Sequence, residues 1–161
     1  MRTRMMIGLA IVLGLTFCMP IAAQSVTERE GWIVIHTDQS YADLLDATRS
    51  AIAAEDMGLV TDVGPTEVAA NRGETIPGNR VLGVFRNDFA VRAVRASVAA
   101  MIEAPIRLYV TENPDGTATL SWKTPSHVLA PYMDEGGGEL RAVAEELDSI
   151  FAAIGERATN L

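Results

Sequence analysis

Cysteine is almost missing: Cys18 is the only one, and it falls in an apolar leader ahead of the polar part of the chain. A domain that sheds it has no disulfide, no thiol nucleophile and no thiolate metal ligand, so its core alone must hold it. Histidine is nearly as scarce, with His36 and His127 the only two, and neither sits in a closely spaced ligand motif of the kind that marks zinc sites. No G-x-S-x-G elbow occurs. Ser126 stands beside His127, but a triad is made by convergence in space, not by adjacency in sequence. Gly136–Gly138 lacks the Gly-Lys-Ser/Thr ending of a phosphate loop and is flanked by acids. Positive charge is short too: 13 basic side chains stand against 21 acidic ones, and Lys123 is the only lysine. That balance argues against nucleic acid and anionic membrane surfaces, which both require a basic face.

Met1–Arg4 carries Arg2 and Arg4 and no acid. Met5–Met19 is almost wholly apolar, and Pro20, Ile21, Ala22 and Ala23 follow. A positive end, an apolar stretch, a helix breaker and small residues make a signal peptide, with the cut expected after Ala23. A spanning helix needs about 20 apolar residues, and the strongly apolar part here is nearer 15. Lipoprotein processing requires a small residue before the cysteine, and Phe17 occupies that place. The expectation is a periplasmic or secreted protein with no membrane span after cleavage: residues 1–23 as leader, 24–30 as polar lead-in, and 31–161 as one domain. Without Arg2 and Arg4 the charges are eleven against 21, a net of −10. The 138 residues left after cleavage suffice for one core and are too few for two.

Gly31–Thr37 alternates as a strand with apolar residues on both faces, which predicts a place inside a sheet. Ser40–Met57 reads as a helix with Tyr41, Leu44, Leu45, Thr48 and Ile52 on its buried stripe, Ser40 and Asp43 as a weak capping box, and Gly58 as its left-handed stop. Leu59–Val63 is a second strand, Pro65–Arg72 a helical turn, and Arg80–Phe85 a third strand. Asn87 and Asp88 open a helix to Ile102 with Val91, Val94, Val98 and Met101 inward. Ile106–Glu112 and Thr117–Lys123 flank Asn113-Pro114-Asp115-Gly116, a three-residue hairpin loop. Thr124–Met133 reads as a loop, Asp134–Gly138 as a flexible approach with dipole-favouring acids, and the last helix carries Leu140, Val143, Leu147, Ile150, Phe151 and Ile154 along one side. A tight hairpin late in the chain excludes a purely parallel sheet. The fold class is α+β.

Three stretches resemble one family. SYADLLDATRSAIAAEDMGLV resembles its long opening helix running through a glycine into a strand. Ala104-Pro105-Ile106-Arg107-Leu108 with Tyr109-Val110 resembles its LPLRVLVY strand. Ser121-Trp122-Lys123-Thr124-Pro125 with His127-Val128-Leu129 resembles its Y-x-x-P-x-x-L stretch. On these the chain from Trp32 to Ile154 resembles the domain of unknown function 302 family. Two departures stand out: Arg86-Asn87-Asp88 replaces a usual Gly-Asn-Pro, and Trp122 replaces a usual tyrosine, so no role of that hydroxyl carries over. The resemblance implies a two-layer domain similar in fold to the TATA-binding protein: a curved, five-stranded, mainly antiparallel sheet with two main helices on one face. It also implies homodimerisation. It implies no reaction and no cofactor, and fold similarity to a DNA-binding protein is no warrant for DNA binding.

The candidate site comes from the hairpin. Its loop sets Glu112 opposite Ala118, Val110 opposite Leu120, and Leu108 opposite Trp122, an apolar set expected beneath the helices. Thr111 with Thr119, Tyr109 with Ser121, and Arg107 with Lys123 form the opposite, polar face. Two cations facing each other destabilise a sheet by a few tenths of a kcal/mol to about 1 kcal/mol, so a negative group is expected between them. It is either a carboxylate of the protein or an anionic ligand or partner tail held by Arg107, Lys123 and Tyr109. The reading is a non-enzymatic binding or accessory domain. The alternatives are a zinc or copper site joining His36 and His127, if the first and fifth strands are close, and a hydrolase with no identified catalytic residue. The last helix, about 30 Å long at 1.5 Å per residue, covers the core and has length left to touch a second subunit.

Overall fold

The computed structural model describes residues 25–160; the leader, Cys18, the cut after Ala23, Gln24 and Leu161 lie outside them. Five strands form one antiparallel sheet in the order β1-β5-β4-β3-β2: β1 (Trp32–Ser40), β2 (Gly58–Val63), β3 (Asn79–Phe85), β4 (Ile106–Glu112) and β5 (Thr117–Lys123). Helices α1 (Tyr41–Ala54), α3 (Asn87–Ala96) and α5 (Met133–Thr159) pack on one another and on one face of the sheet; α2 (Thr66–Ala70) and α4 (Pro125–Leu129) are short. The chain is thus an α+β domain with an open antiparallel sheet. Among the described residues no helix is long and apolar enough to cross a membrane.

The core follows from side-chain alternation. Leu108, Val110, Ala118, Leu120 and Trp122 point to the helix side and are buried with Leu44 and Ile52 of α1 and Phe151 and Ile154 of α5. Each large apolar side chain so buried contributes about 1.5–3 kcal/mol. The hairpin pairs as its loop dictates, from Glu112–Ala118 to Leu108–Trp122.

Five local expectations give way. The first strand lies at the sheet edge, paired only with β5. Its second apolar face is occupied without a neighbouring strand: Ile35 packs against the core, while Ile33 stays 40% exposed. A bulge between Thr37 and Ser40 interrupts the edge, a common means of blunting one. Ser40 does cap α1, its Oγ accepting from the Asp43 amide, but the helix ends at Ala54 and the left-handed residue beyond it is Asp56, at φ 54°. Aspartate tolerates that region through its short polar side chain, and Gly58 is thereby free to pair with Phe85.

The third helix ends at Ala96 rather than Ile102. Ser97 is extended, and a 3-10 turn follows over Ala99–Glu103. Ser97 Oγ accepts from the Ala100 amide and donates to Glu135, which anchors the break. Within α3 Phe89 and Ala93 turn inward and Val94 outward, and beyond the break Val98 and Ile102 are exposed. The loop after β5 contains α4, which Thr124 caps by accepting from the His127 amide at 3.2 Å, with Pro125 at its first position. Met133–Gly136 is already helical. Gly137, at φ 58° and ψ −144°, makes a kink through which it joins the main run of α5.

Candidate functional site

The polar face of the sheet is built in rows. One row runs Trp32, Lys123, Arg107, Gly83 across β1, β5, β4 and β3; the next runs Val34, Ser121, Tyr109, Val81. Arg107 and Lys123 are the residues just beyond the last paired position of the hairpin, Leu108–Trp122, and both are exposed. The structure brings Arg107, Tyr109 and Lys123 together. All three line one cavity of about 440 Å³ at this end of the sheet, with Trp32, Val81 and Glu103 among the other walls. A cavity of about 50 Å³ beneath α3 is apolar, too small for a ligand, and belongs to core packing.

The expected carboxylate between the two cations is not there. Among the described residues neither Arg107 nor Lys123 has a carboxylate oxygen within 4.0 Å. Arg49, Arg80, Arg86, Arg92 and Arg157 each pair with at least one acid, while among the described residues Arg29, Arg72, Arg95 and Arg141, like Arg107, pair with none. Lys123 lies instead over the Trp32 ring, 5.8 Å from its centroid, and Arg29 lies 5.0 Å from the same ring. Such contacts contribute about 0.5–1 kcal/mol when exposed and leave the ammonium hydrogens available.

Tyr109 is set up as a donor. Its hydroxyl oxygen accepts from Asn79 Nδ2 at 2.5 Å, so its own hydrogen is left for another acceptor. Beside it, Ser121 Oγ and Thr111 Oγ1 are buried and make no hydrogen bond among the described residues. Glu103 supplies the one negative charge among the cavity walls, and it accepts from the Tyr132 hydroxyl at 2.8 Å. That bond raises the Tyr132 pKa above its ordinary value.

His36 and His127 are not brought together. His127 packs against Gly31, whose φ is +73°; a Cβ there would fall 2.1 Å from His127 Nδ1. His36 lies five residues further along β1, about 16 Å away at the usual strand rise. The two-histidine zinc or copper site is not assembled: β1 and β5 are neighbours, but His127, in α4, sits against Gly31 ahead of β1, while His36 stands at the middle of β1 opposite Thr119. Among the described residues no group of three or more His, Cys, Asp or Glu side chains could hold a metal ion. Ser126 forms no pair with the neighbouring imidazole; its Oγ bonds to Thr124 Oγ1 at 3.3 Å.

His36 has a different setting, which its sequence position did not reveal. Thr119 Oγ1 donates to Asn113 Oδ1 at 2.9 Å, so the His36 Nδ1 that lies 2.9 Å from the same hydroxyl must be the donor. Asn113 Nδ2 in turn donates to Thr117 Oγ1, which donates to Asp115. The hairpin thereby fixes the imidazole tautomer, with Nε2 unprotonated when the ring is neutral.

Sequence reasoning also missed Trp32, Asn79, Glu103 and Val128 as walls of the cavity. Their alternation was readable, but which strands are neighbours was not. Trp32 meets Lys123 only because β1 pairs with β5, 91 residues later in the chain.

Comparison with known proteins bears on the family and the fold. No curated protein matches the chain in sequence. The crystal structure of an uncharacterized conserved protein DUF302 from Bacillus stearothermophilus superposes with a TM-score of 0.69 at 16% identity, covering 81% of this chain and 99% of that one. That likeness carries the fold. The family model described as domain of unknown function DUF302 matches residues 33–154, and the chain belongs to that family.

Proposed function

We propose that this chain is an exported, periplasmic binding or accessory domain, without catalysis of its own, that holds an anionic ligand or the acidic tail of a protein partner at the Arg107–Lys123 end of its sheet. One observation carries the reading: Arg107, Lys123 and the Tyr109 hydroxyl share a cavity of about 440 Å³ in which, among the described residues, no carboxylate pairs with either cation. This chain has acids in excess and five of its arginines pair with them, yet the two cations that share this cavity pair with none among the described residues, which favours a ligand over a scaffold. Arginine grips a carboxylate or phosphate with two parallel hydrogen bonds, and a cavity this size falls within the range of about 300–1,000 Å³ usual for small-molecule sites. The leader at residues 1–23 supports export. The family resemblance supports a homodimer.

Thermal unfolding with added phosphate, sulfate or a dicarboxylate tests the site. A bound anion stabilises the folded state by RT ln(1 + [L]/Kd), about 2.7 kcal/mol at a hundredfold excess over Kd. The melting temperature should rise with the anion and cease to respond in an Arg107→Ala, Lys123→Ala double variant. An equal rise in that variant, or no rise with any anion, rejects the site.

A further inference from the structure

We propose that the occupant of this cavity is a hydrophobic monocarboxylate: one carboxylate on a compact apolar body, aromatic or branched. The inference rests on the anion-binding reading above and narrows it by charge and by wall chemistry.

Charge sets the first limit. The cavity walls carry two cations, Arg107 and Lys123, and one carboxylate, Glu103. Their sum is a single positive charge, which one anionic group neutralises. A phosphate dianion or a dicarboxylate would overshoot it and place a second negative charge in a space that already holds Glu103. Glu103 is fixed there by the Tyr132 hydroxyl and is not drawn within ion-pair range of either cation.

The donors set the second limit. The Arg107 guanidinium offers a planar fork, the Lys123 ammonium a point charge, and Tyr109 one hydroxyl hydrogen left over from its bond with Asn79. A carboxylate has two oxygens and about four lone-pair sites, which these donors satisfy. The remaining walls set the third. Val81, Ile106, Val128 and the indole of Trp32, with an edge of the buried Trp122, make the lining mainly apolar. A bare inorganic anion would leave those surfaces wet; an apolar body attached to the carboxylate would cover them, at about 25 cal/mol per Å² removed from water.

The test is a calorimetric titration of the intact mature protein with a fixed series: phenylacetate, acetate, inorganic phosphate and 2-phenylethanol. The expected result is phenylacetate binding on the order of tenfold or more tighter than acetate and tighter than phosphate. That affinity should be lost in the Arg107→Gln, Lys123→Gln double variant, whose melting temperature without ligand should stay near that of the parent. In Glu103→Gln, which keeps an acceptor for Tyr132, phosphate should gain more than phenylacetate does. If phosphate binds and phenylacetate is no better than acetate, the monocarboxylate inference is overturned and the anion site stands. If 2-phenylethanol binds as tightly as phenylacetate, or no probe binds, the anion site falls as well.

Discussion

Gly155 of α5 lies against Trp122 of β5 so closely that a Cβ at position 155 would come 2.6 Å from the indole Cη2. The same Trp122 forms part of the cavity wall on its other side. The glycine therefore holds the longest helix close to the sheet and sets the position of one wall of the candidate site.

Alanine at 155 should expose that constraint. On an open helix surface Gly→Ala gains about 1 kcal/mol of helix propensity. Here the methyl group meets a buried ring and must push it aside, and overpacking of this kind costs about 1–3 kcal/mol. The urea midpoint of Gly155→Ala should fall; a midpoint that rises would mean the indole moves freely.

Thr119→Val keeps shape and removes the hydroxyl that links His36 to Asn113. Asn113 is buried and would lose the donor to its Oδ1. A buried polar group left without its partner costs about 1–3 kcal/mol. Denaturant unfolding should show that loss. Nitrogen-15 spectra of the imidazole should show His36 as the Nδ1–H tautomer in the parent and a mixture in the variant.

Acid should weaken the tie between α3 and α5. Arg92 bonds to Glu139 and, through two nitrogens, to Glu146. The Arg92 hydrogen bonds hold the Glu146 carboxyl below its ordinary value of 4.5, and Arg86 likewise lowers Asp88. A carboxylate whose folded pKa is depressed contributes in full above the unfolded value and loses its contribution as pH falls through the folded one. The melting temperature should therefore decline below about pH 4.5, and less steeply in Arg92→Ala. Parallel acid limbs in the two proteins would show that other carboxylates control the transition.

Export and assembly are checked on the protein recovered from its host. Mass spectrometry should find an N-terminus at Gln24, and light scattering should give twice the mass of one mature chain, about 15 kDa at a typical 110 Da per residue, as expected of the commonest oligomer symmetry. An intact leader removes the periplasmic assignment, and a mass of one chain removes the dimer.

Local chemistry was written in the sequence. The Asn-Pro-Asp-Gly loop fixed the hairpin register residue by residue, because turn geometry and a side-chain period of two leave one pairing that buries Leu108, Val110, Leu120 and Trp122. The same register placed Arg107, Tyr109 and Lys123 on one face, and Ser40 with Asp43 marked the start of the first helix. Long-range choices were not so written. That β1 is an edge strand beside β5, that Ser97 breaks the third helix and turns Val98 and Ile102 outward, and that His127 sits ahead of β1 while His36 stands at its middle all depend on which elements meet. A strand's alternation tells which residues share a face and nothing about which strand lies alongside it. The sequence by itself determined the two cations; only tertiary packing decided that no carboxylate of the described residues reaches them, because that depends on where each of those acids is held.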